Sequence, residues 1–314
     1  MTGTQSPLRA RLDRSNRIAG EASGQPTLRQ RLRAQGYDGT TLLTVPAVGF
    51  LLLLFVYPFL YGLLLSFNPK AGGILANYAR FFSDPFLYET ISKTLWLAVP
   101  VTLLNLVLAV PVALRVRAMR YQRVLTTILV IPMTLGTVLI AQGLLNYLGP
   151  QGWFNRTLLT LGIIDAPVKL IHNYWGVFLS LLITGFPFAF LLTLSYVTGI
   201  DRNLERAAAM LGAGSWQRFQ RILMPLILPG LAITFCLSFV QAFAVFPSAV
   251  LLGSPAGPTR VISIAAYQAA FEEYDYSMAS AVAMVMGAVQ LLVVGCILGA
   301  RGLLYRGSTA GAKG

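Results

Sequence analysis

Charge is what this sequence has least of. Only 11% of its 314 residues are Asp, Glu, Lys or Arg, less than half the roughly 25% of a soluble globular domain, while 56% are hydrophobic. That balance points to a membrane protein. Cysteine occurs twice, and Cys236 and Cys296 both lie inside apolar runs, where a thiol behaves as a small hydrophobe. A disulfide framework or a cysteine metal site would need several cysteines at short spacings, so neither is expected. The four lysines, Lys70, Lys93, Lys169 and Lys313, none of them stand in the phosphate-binding pattern Gly-x4-Gly-Lys-Ser/Thr. The chain is therefore expected to bind no cofactor and to hydrolyse no ATP by itself. A net charge of +13 would suit a nucleic-acid partner only if the basic residues gathered on a soluble domain, and here they fall between apolar runs.

What is present is a set of long uncharged segments, at 39–69, 94–114, 124–155, 173–200, 222–259 and 276–300. Each reaches the roughly 20 residues that a helix needs to cross the hydrocarbon core. The pattern predicts six transmembrane helices near 42–68, 92–116, 124–147, 174–200, 226–252 and 277–304, interrupted by prolines that bundled membrane helices tolerate. A closed β-barrel is excluded, because its strands would alternate polar and apolar residues. No internal repeat is visible.

Residues 1–40, 115–123, 201–225 and 301–314 hold 18 of the 24 Lys and Arg and 5 of the 11 acids. By the positive-inside rule these segments face the cytoplasm, with both termini inside a bacterial inner membrane. The first 40 residues lack an apolar core and so do not form a cleaved signal peptide; they are expected to be a basic cytoplasmic tail. Within it, "PTLRQRLRAQ" (26–35) reads either as a short basic helix on the membrane surface or as a disordered positive-inside signal. A six-span domain follows over 41–306, then a second cytoplasmic tail over 307–314.

One cytoplasmic loop, 201–225, is more than a connection. Leu204, Ala207, Ala208 and Leu211 recur at helical spacing, and after Gly212, Ala213 and Gly214 so do Trp216, Phe219, Ile222 and Leu223. Two short amphipathic helices joined by a glycine turn are expected, the second capped by Ser215 and ended by Pro225. The apolar ridge they form either enters a groove on another protein or packs against its own bundle.

"LERAAAMLGAGSWQRFQRILMP" (204–225) resembles the coupling loop of binding-protein-dependent ABC transporter permeases of type I. Their signature is Glu-Ala-Ala, three residues, Gly, nine residues, then Ile-x-Leu-Pro. Ala207, Ala208, Gly212, Ile222 and Pro225 fall in register, whereas Arg206 stands in the glutamate slot, with Glu205 one residue early, and Met224 replaces the leucine. "NYARFF" (77–82) is similar to the segment before the second span of these proteins, so the resemblance covers about residues 40–305. It implies an all-α fold with six spans and a cytoplasmic coupling helix. It also implies partners: a cytoplasmic ATPase dimer that binds ATP and Mg, a second permease subunit that is a different chain, and an extracytoplasmic solute-binding protein. The residues it assigns to ATPase docking are Glu205, Ala207, Ala208, Leu211, Gly212, Ala213, Trp216 and Phe219.

For the translocation path, Thr234, Ser238 and Gln241 form a polar stripe on span five, joined by Gln142 and Asn146 on span three. Polar side chains at that depth either face a wet cavity or hydrogen-bond between helices; for Asn105 and Gln290 the second role is the expectation. No ionisable residue stands in a span centre, which argues against a proton relay or a carrier built on buried carboxylates. The lone histidine, His172, is expected to be an interfacial anchor beside Asn173, Tyr174 and Trp175. "LLGSP" and "DYSMASA", within 246–284, resemble permeases for polyamines, ferric iron and related small solutes. Glu272, Glu273 and Asp275 either suit a cationic cargo or form a solvated rim at a helix start.

The expectation is a permease subunit of an ATP-driven importer, not an enzyme, carrying a polyamine or related amine-bearing solute, with ferric iron, a phosphonate or an opine-like compound behind it. A self-sufficient channel or secondary carrier is the competing reading.

Overall fold

The structure, a computed structural model, describes residues 39–304. The expected basic tail over 1–40, save its last two residues, with the segment 26–35 inside it, and the expected tail over 307–314 lie outside the described residues. Among the described residues, six helices are long and apolar enough to cross a membrane. The chain divides into two compact units, residues 1–61 and 62–314, with the division inside helix α1 (Gly39–Ser66). The described part of the first unit is the apolar start of that helix, which carries Pro46 and Pro58.

In the second unit, α2 (Ala76–Ser83) is the short helix that holds "NYARFF" and turns Phe81 inward. Its Asn77 is buried and donates to the Ser66 carbonyl at 3.0 Å and to the Ser277 hydroxyl at 2.7 Å, tying three segments together. Helix α3 (Pro85–Arg117) starts earlier than the expected residue 92, because Asp84 accepts the Phe86 N–H at 2.9 Å and Pro85 occupies the first helical position. Helix α4 (Gln122–Leu148) is broken at Gly136, four residues after Pro132, where φ of 74° takes the chain out of the helical region. A short helix, α5 (Trp153–Thr160), then folds back on buried Asn155, which donates to the Gly149 carbonyl at 2.9 Å and accepts the Val168 N–H at 2.8 Å.

Helix α6 (Tyr174–Thr198) is capped by Asn173, next to His172, whose φ of 55° sets the turn into the span. The loop that follows is α7 (Arg202–Met210) and α8 (Ser215–Arg218). The latter runs through a π turn at Phe219–Leu223 into α9 (Met224–Phe243). After α10 (Pro247–Leu252) and α11 (Ile262–Tyr267) comes the sixth span, α12 (Tyr276–Leu304).

Three expectations are corrected. Pro225 does not end the second loop helix. The Met224 N–H reaches back five residues to the Phe219 carbonyl, and the widened turn absorbs the missing proline donor, so helix continues from Ser215 to Phe243. Ser215 is not the cap either: Gly214 is, with its N–H held at 3.2 Å by the Gln217 side-chain oxygen. The fifth span stops at Phe243 rather than 252, because Pro247 restricts Phe246, whose φ and ψ of −131° and −60° lie outside the helix.

Helices α3, α6 and α9 form the centre of the unit. Leu97, Val101, Phe239, Phe243, Ile262 and Met278 share one core, and Ala109, Ala113, Ala189 and Phe190 pack a second between α3 and α6. Arg260 braces one end, between the fifth and sixth spans. Its guanidinium lies 3.4 Å over the Phe86 ring, donates to the Phe86 carbonyl at 2.8 Å and forks onto the Gln268 side-chain oxygen at 3.1 and 2.7 Å. Burial pulls its pKa below the ordinary arginine value, while Asp84, Glu273 and Glu272 draw it back up. Replacing it, Arg260→Met, strands both acceptors and is expected to cost about 2 kcal/mol. The unfolding midpoint in detergent should fall, and Arg260→Lys, unable to fork, should recover only part of the loss.

Candidate functional site: a braced loop and a polar cavity

Helix α7 begins at Asp201, which accepts the Asn203 N–H at 2.9 Å. It ends in a glycine cap: the Gly212 N–H meets the Ala209 carbonyl at 3.0 Å and the Ala213 N–H meets the Ala208 carbonyl at 3.0 Å. Gly212 has φ of 85°, which a side chain adopts only under strain, so the signature glycine is there for the turn itself. The turn sends the chain into α8, where the Trp216 and Phe219 rings lie 5.4 Å apart.

Of the residues assigned to docking, Leu211 and Trp216 are 89% and 69% exposed, and neighbouring Met210 is 83% exposed. These side chains make an outward apolar ridge that the bundle does not cover. Ala207 is exposed, Ala208 and Ala213 are half-buried, and Phe219 turns inward toward a cluster with Val110, Val197, Ile227 and Leu231. Met210 was not among the expected docking residues, although its place beside Leu211 at the end of an amphipathic helix was the available signal.

Glu205 points inward. Its carboxylate pairs with Arg117 at 3.2 Å, and Arg117, 6% exposed, also donates to the Ile200 carbonyl at 2.9 Å. In return Arg202 donates to the Arg117 carbonyl. The last turn of α3 is thereby clamped to both the entry and the body of α7. Sequence reading counted Arg117 only as a positive charge, because its partners are 83 and 88 residues further along. A buried ion pair is held at the cost of desolvation, and removal of one partner strands the other.

The path residues divide. Ser238 and Gln241 line a cavity of about 150 Å³ together with Asn105, Thr137, Thr184 and Ser248. The Ser238 hydroxyl and the Asn105 side-chain oxygen are buried without a protein partner, so the cavity is polar and calls for water or solute. Asn105, expected to bond between helices, belongs to this wall instead. Thr234 is buried and returns its hydroxyl to the Gly230 carbonyl at 3.0 Å, while Gln142 and Asn146 are exposed and line no part of the cavity. Gln290 does bond across helices, to the Val240 carbonyl at 3.2 Å. At the opposite end, Asp275 caps α12 through the Met278 N–H at 3.0 Å and approaches Lys70 at 3.8 Å, and Glu273 approaches Arg80 at 3.7 Å. Two of the three rim acids are thus engaged within the chain.

Residues 73–301 match the family of binding-protein-dependent transport system inner membrane components, and the chain belongs to that family. It is accordingly a multi-pass membrane protein of a transport class rather than an enzyme, and the six apolar helices are its spans. The chain is similar to a probable sulfate transport system permease of Prototheca wickerhamii, 34% identical over 52% of this chain and 62% of that one. It is also similar to the spermidine/putrescine permease PotB of Escherichia coli K12, 31% identical over 57% of this chain and 66% of that one. These matches span just under two thirds of the relatives' length. The fold matches a bacterial alginate ABC transporter in complex with an alginate-bound periplasmic protein, with a TM-score of 0.72 and 22% identity over 85% of this chain and 95% of that one. The expected fold class is therefore correct.

The glycine cap yields a direct test. Because a Cβ at Gly212 would meet open space, substitution there costs backbone strain only, about 1–2 kcal/mol for most residues. Hydrogen exchange at the Ala213 amide should quicken about tenfold or more in Gly212→Val and much less in Gly212→Asn, which tolerates a left-handed backbone.

Proposed function

We propose that the chain is a membrane-spanning subunit of an ATP-driven importer, receiving a small solute from an extracytoplasmic binding protein and passing it inward by alternating access. The observation that carries this reading is the bare ridge of Met210, Leu211 and Trp216 on a loop held at both ends, by Arg117 on one side and by continuous helix into α9 on the other. A ridge of this kind needs a groove on a partner, and a stiff mounting passes the partner's movement into the bundle. The partner is a cytoplasmic ATPase dimer, which carries the ATP and Mg. A second permease subunit, a different chain, completes the pathway. The concentration of 18 of the 24 basic residues on the loop side supports a cytoplasmic loop and cytoplasmic termini.

A polyamine or related amine-bearing solute is the favoured cargo, supported by likeness to spermidine/putrescine permeases. Likeness to a sulfate permease pulls toward an anion. The cavity wall around Asn105, Ser238 and Gln241 offers amides and hydroxyls without net charge, which leaves the sign of the cargo to the binding protein. Of the rim acids only Glu272 makes no ion pair among the described residues, so the rim adds little cation attraction.

The test is ATPase activity of the assembly reconstituted in lipid, with binding protein loaded with spermidine or with sulfate. Stimulation by the spermidine form alone is expected. In Leu211→Asp the stimulated rate should fall at least tenfold with an unchanged unfolding midpoint, since Leu211 is 89% exposed. Stimulation by sulfate alone would replace the cargo. Solute movement by this chain alone in liposomes would replace the importer with a self-sufficient carrier.

A further inference from the structure

Two cavities meet behind the loop. The first, about 850 Å³, is an apolar groove between α3, α9 and α12, walled by Leu103, Leu106, Leu228, Phe235 and Ile297 among others, with no charged side chain, and Trp216 of the ridge also borders it. The second, about 460 Å³, lies at the loop end of the same helices and is lined by Arg117, Arg202, Arg206 and Arg218 against the single carboxylate of Glu205. Leu114 and Phe219 line both, so the two are adjacent.

The arginines are not equally engaged. Arg117 and Arg202 are used in the clamp on α7. Arg218 makes one hydrogen bond, to the Ser215 hydroxyl at 3.1 Å, and its Nε is buried with no acceptor. Arg206 makes no ion pair among the described residues. Two guanidinium groups in a pocket with surplus positive charge therefore stand ready for an anion with several acceptor oxygens. The pocket sits where α3 ends at Arg117 and helix resumes at Ser215, which is the level of lipid headgroups for helices that span a bilayer.

We propose that the groove and the arginine pocket together hold one anionic phospholipid, its acyl chains along α3 and α9 and its phosphodiester against Arg206 and Arg218. A free anion would fill the pocket and leave the groove empty. A transmembrane helix would fill the groove and bring no acceptor to the buried Nε of Arg218. Only a molecule that is apolar over most of its length and anionic at one end matches both. Bound there, it would brace α8 and α9 against α3. The site borders the ridge at Trp216 but requires neither a particular solute nor a particular side of the membrane for the loop.

Native mass spectrometry of the full chain in detergent tests the proposal, with phosphatidylglycerol, phosphatidylcholine of the same acyl chains, and inorganic phosphate as probes. Phosphatidylglycerol should be retained roughly tenfold or more tightly than phosphatidylcholine. Arg206→Gln with Arg218→Gln should abolish that preference, and Arg206→Lys with Arg218→Lys should keep most of it. Leu228→Trp, which fills the groove, should weaken phosphatidylglycerol, whereas Arg221→Gln, outside the pocket, should not. Equal retention of the two lipids, or unchanged preference in the double glutamine variant, overturns the proposal. So does phosphate binding of similar strength that Leu228→Trp leaves untouched, which would mark a free-anion site. Because none of these measurements involves transport, their failure would leave the importer reading standing, and failure of that reading would leave the lipid site standing.

Discussion

The buried guanidinium of Arg117 is the interaction on which the placement of the loop depends. A charge taken out of water must be matched, and here the match comes from a carboxylate on α7 and from the Ile200 carbonyl just beyond α6, while the backbone carbonyl of Arg117 accepts a separate bond from Arg202. Glu205 and Arg202 belong to α7 and Ile200 to the link before it, so these contacts fix the end of α3 against that link and the first turns of α7. The exposed ridge of Leu211 and Trp216 can then stand clear of the bundle, because the opposite face of α7 is already held.

The same principle organises the rest of the unit. In an apolar surrounding, backbone and side-chain polar groups must find partners inside the protein. The breaks in the helices show where they do. Asn77 ties α2 to the ends of α1 and α12, Asn155 closes the segment after α4, and Asn173 starts α6. Of the buried side-chain atoms left without a partner among the described residues, those of Asn105 and Ser238 face the small cavity and that of Arg218 the basic pocket, while the hydroxyls of Thr102, Thr126 and Thr193 line neither. Where unmet hydrogen-bonding capacity lines a cavity, as at Asn105, Ser238 and Arg218, it marks a place that water or a ligand can fill.

Much of this was legible in the sequence, for identifiable reasons. Six spans follow from charge-free length alone, and the glycine turn at 212–214 follows from spacing within a dozen residues. What was missed depended on distance or on backbone detail. The inward turn of Glu205 requires knowing that residue 117 is adjacent in space, and the placement of Asn105 in the cavity wall requires the packing of α3 against α6 and α9. Pro225 looked like a terminator because a proline inside a helix normally removes a bond and introduces a clash, and only the π turn before it, which no pattern of residue types announces, makes it compatible with continuous helix. Likewise Thr234, Ser238 and Gln241 share a helical face, yet Thr234 satisfies itself locally and drops out of the cavity wall.

The unbroken run from Ser215 to Phe243 makes the outer loop and the inner wall two ends of one lever. Its 29 residues span about 43 Å at the ordinary helical rise of about 1.5 Å per residue. Pivoted near its middle, such a rod converts a tilt of about 5° into a shift of about 2 Å at each end, in opposite directions. Trp216 rides on one end and Ser238 stands near the other, so a push that carries the ridge inward carries the polar wall outward. A second proline, Pro229, stands at the midpoint of the run, where it removes one helical hydrogen bond but leaves the helix continuous. A single residue of extra width in the π turn therefore has a mechanical meaning: it lets Pro225 stay while helix runs on through it.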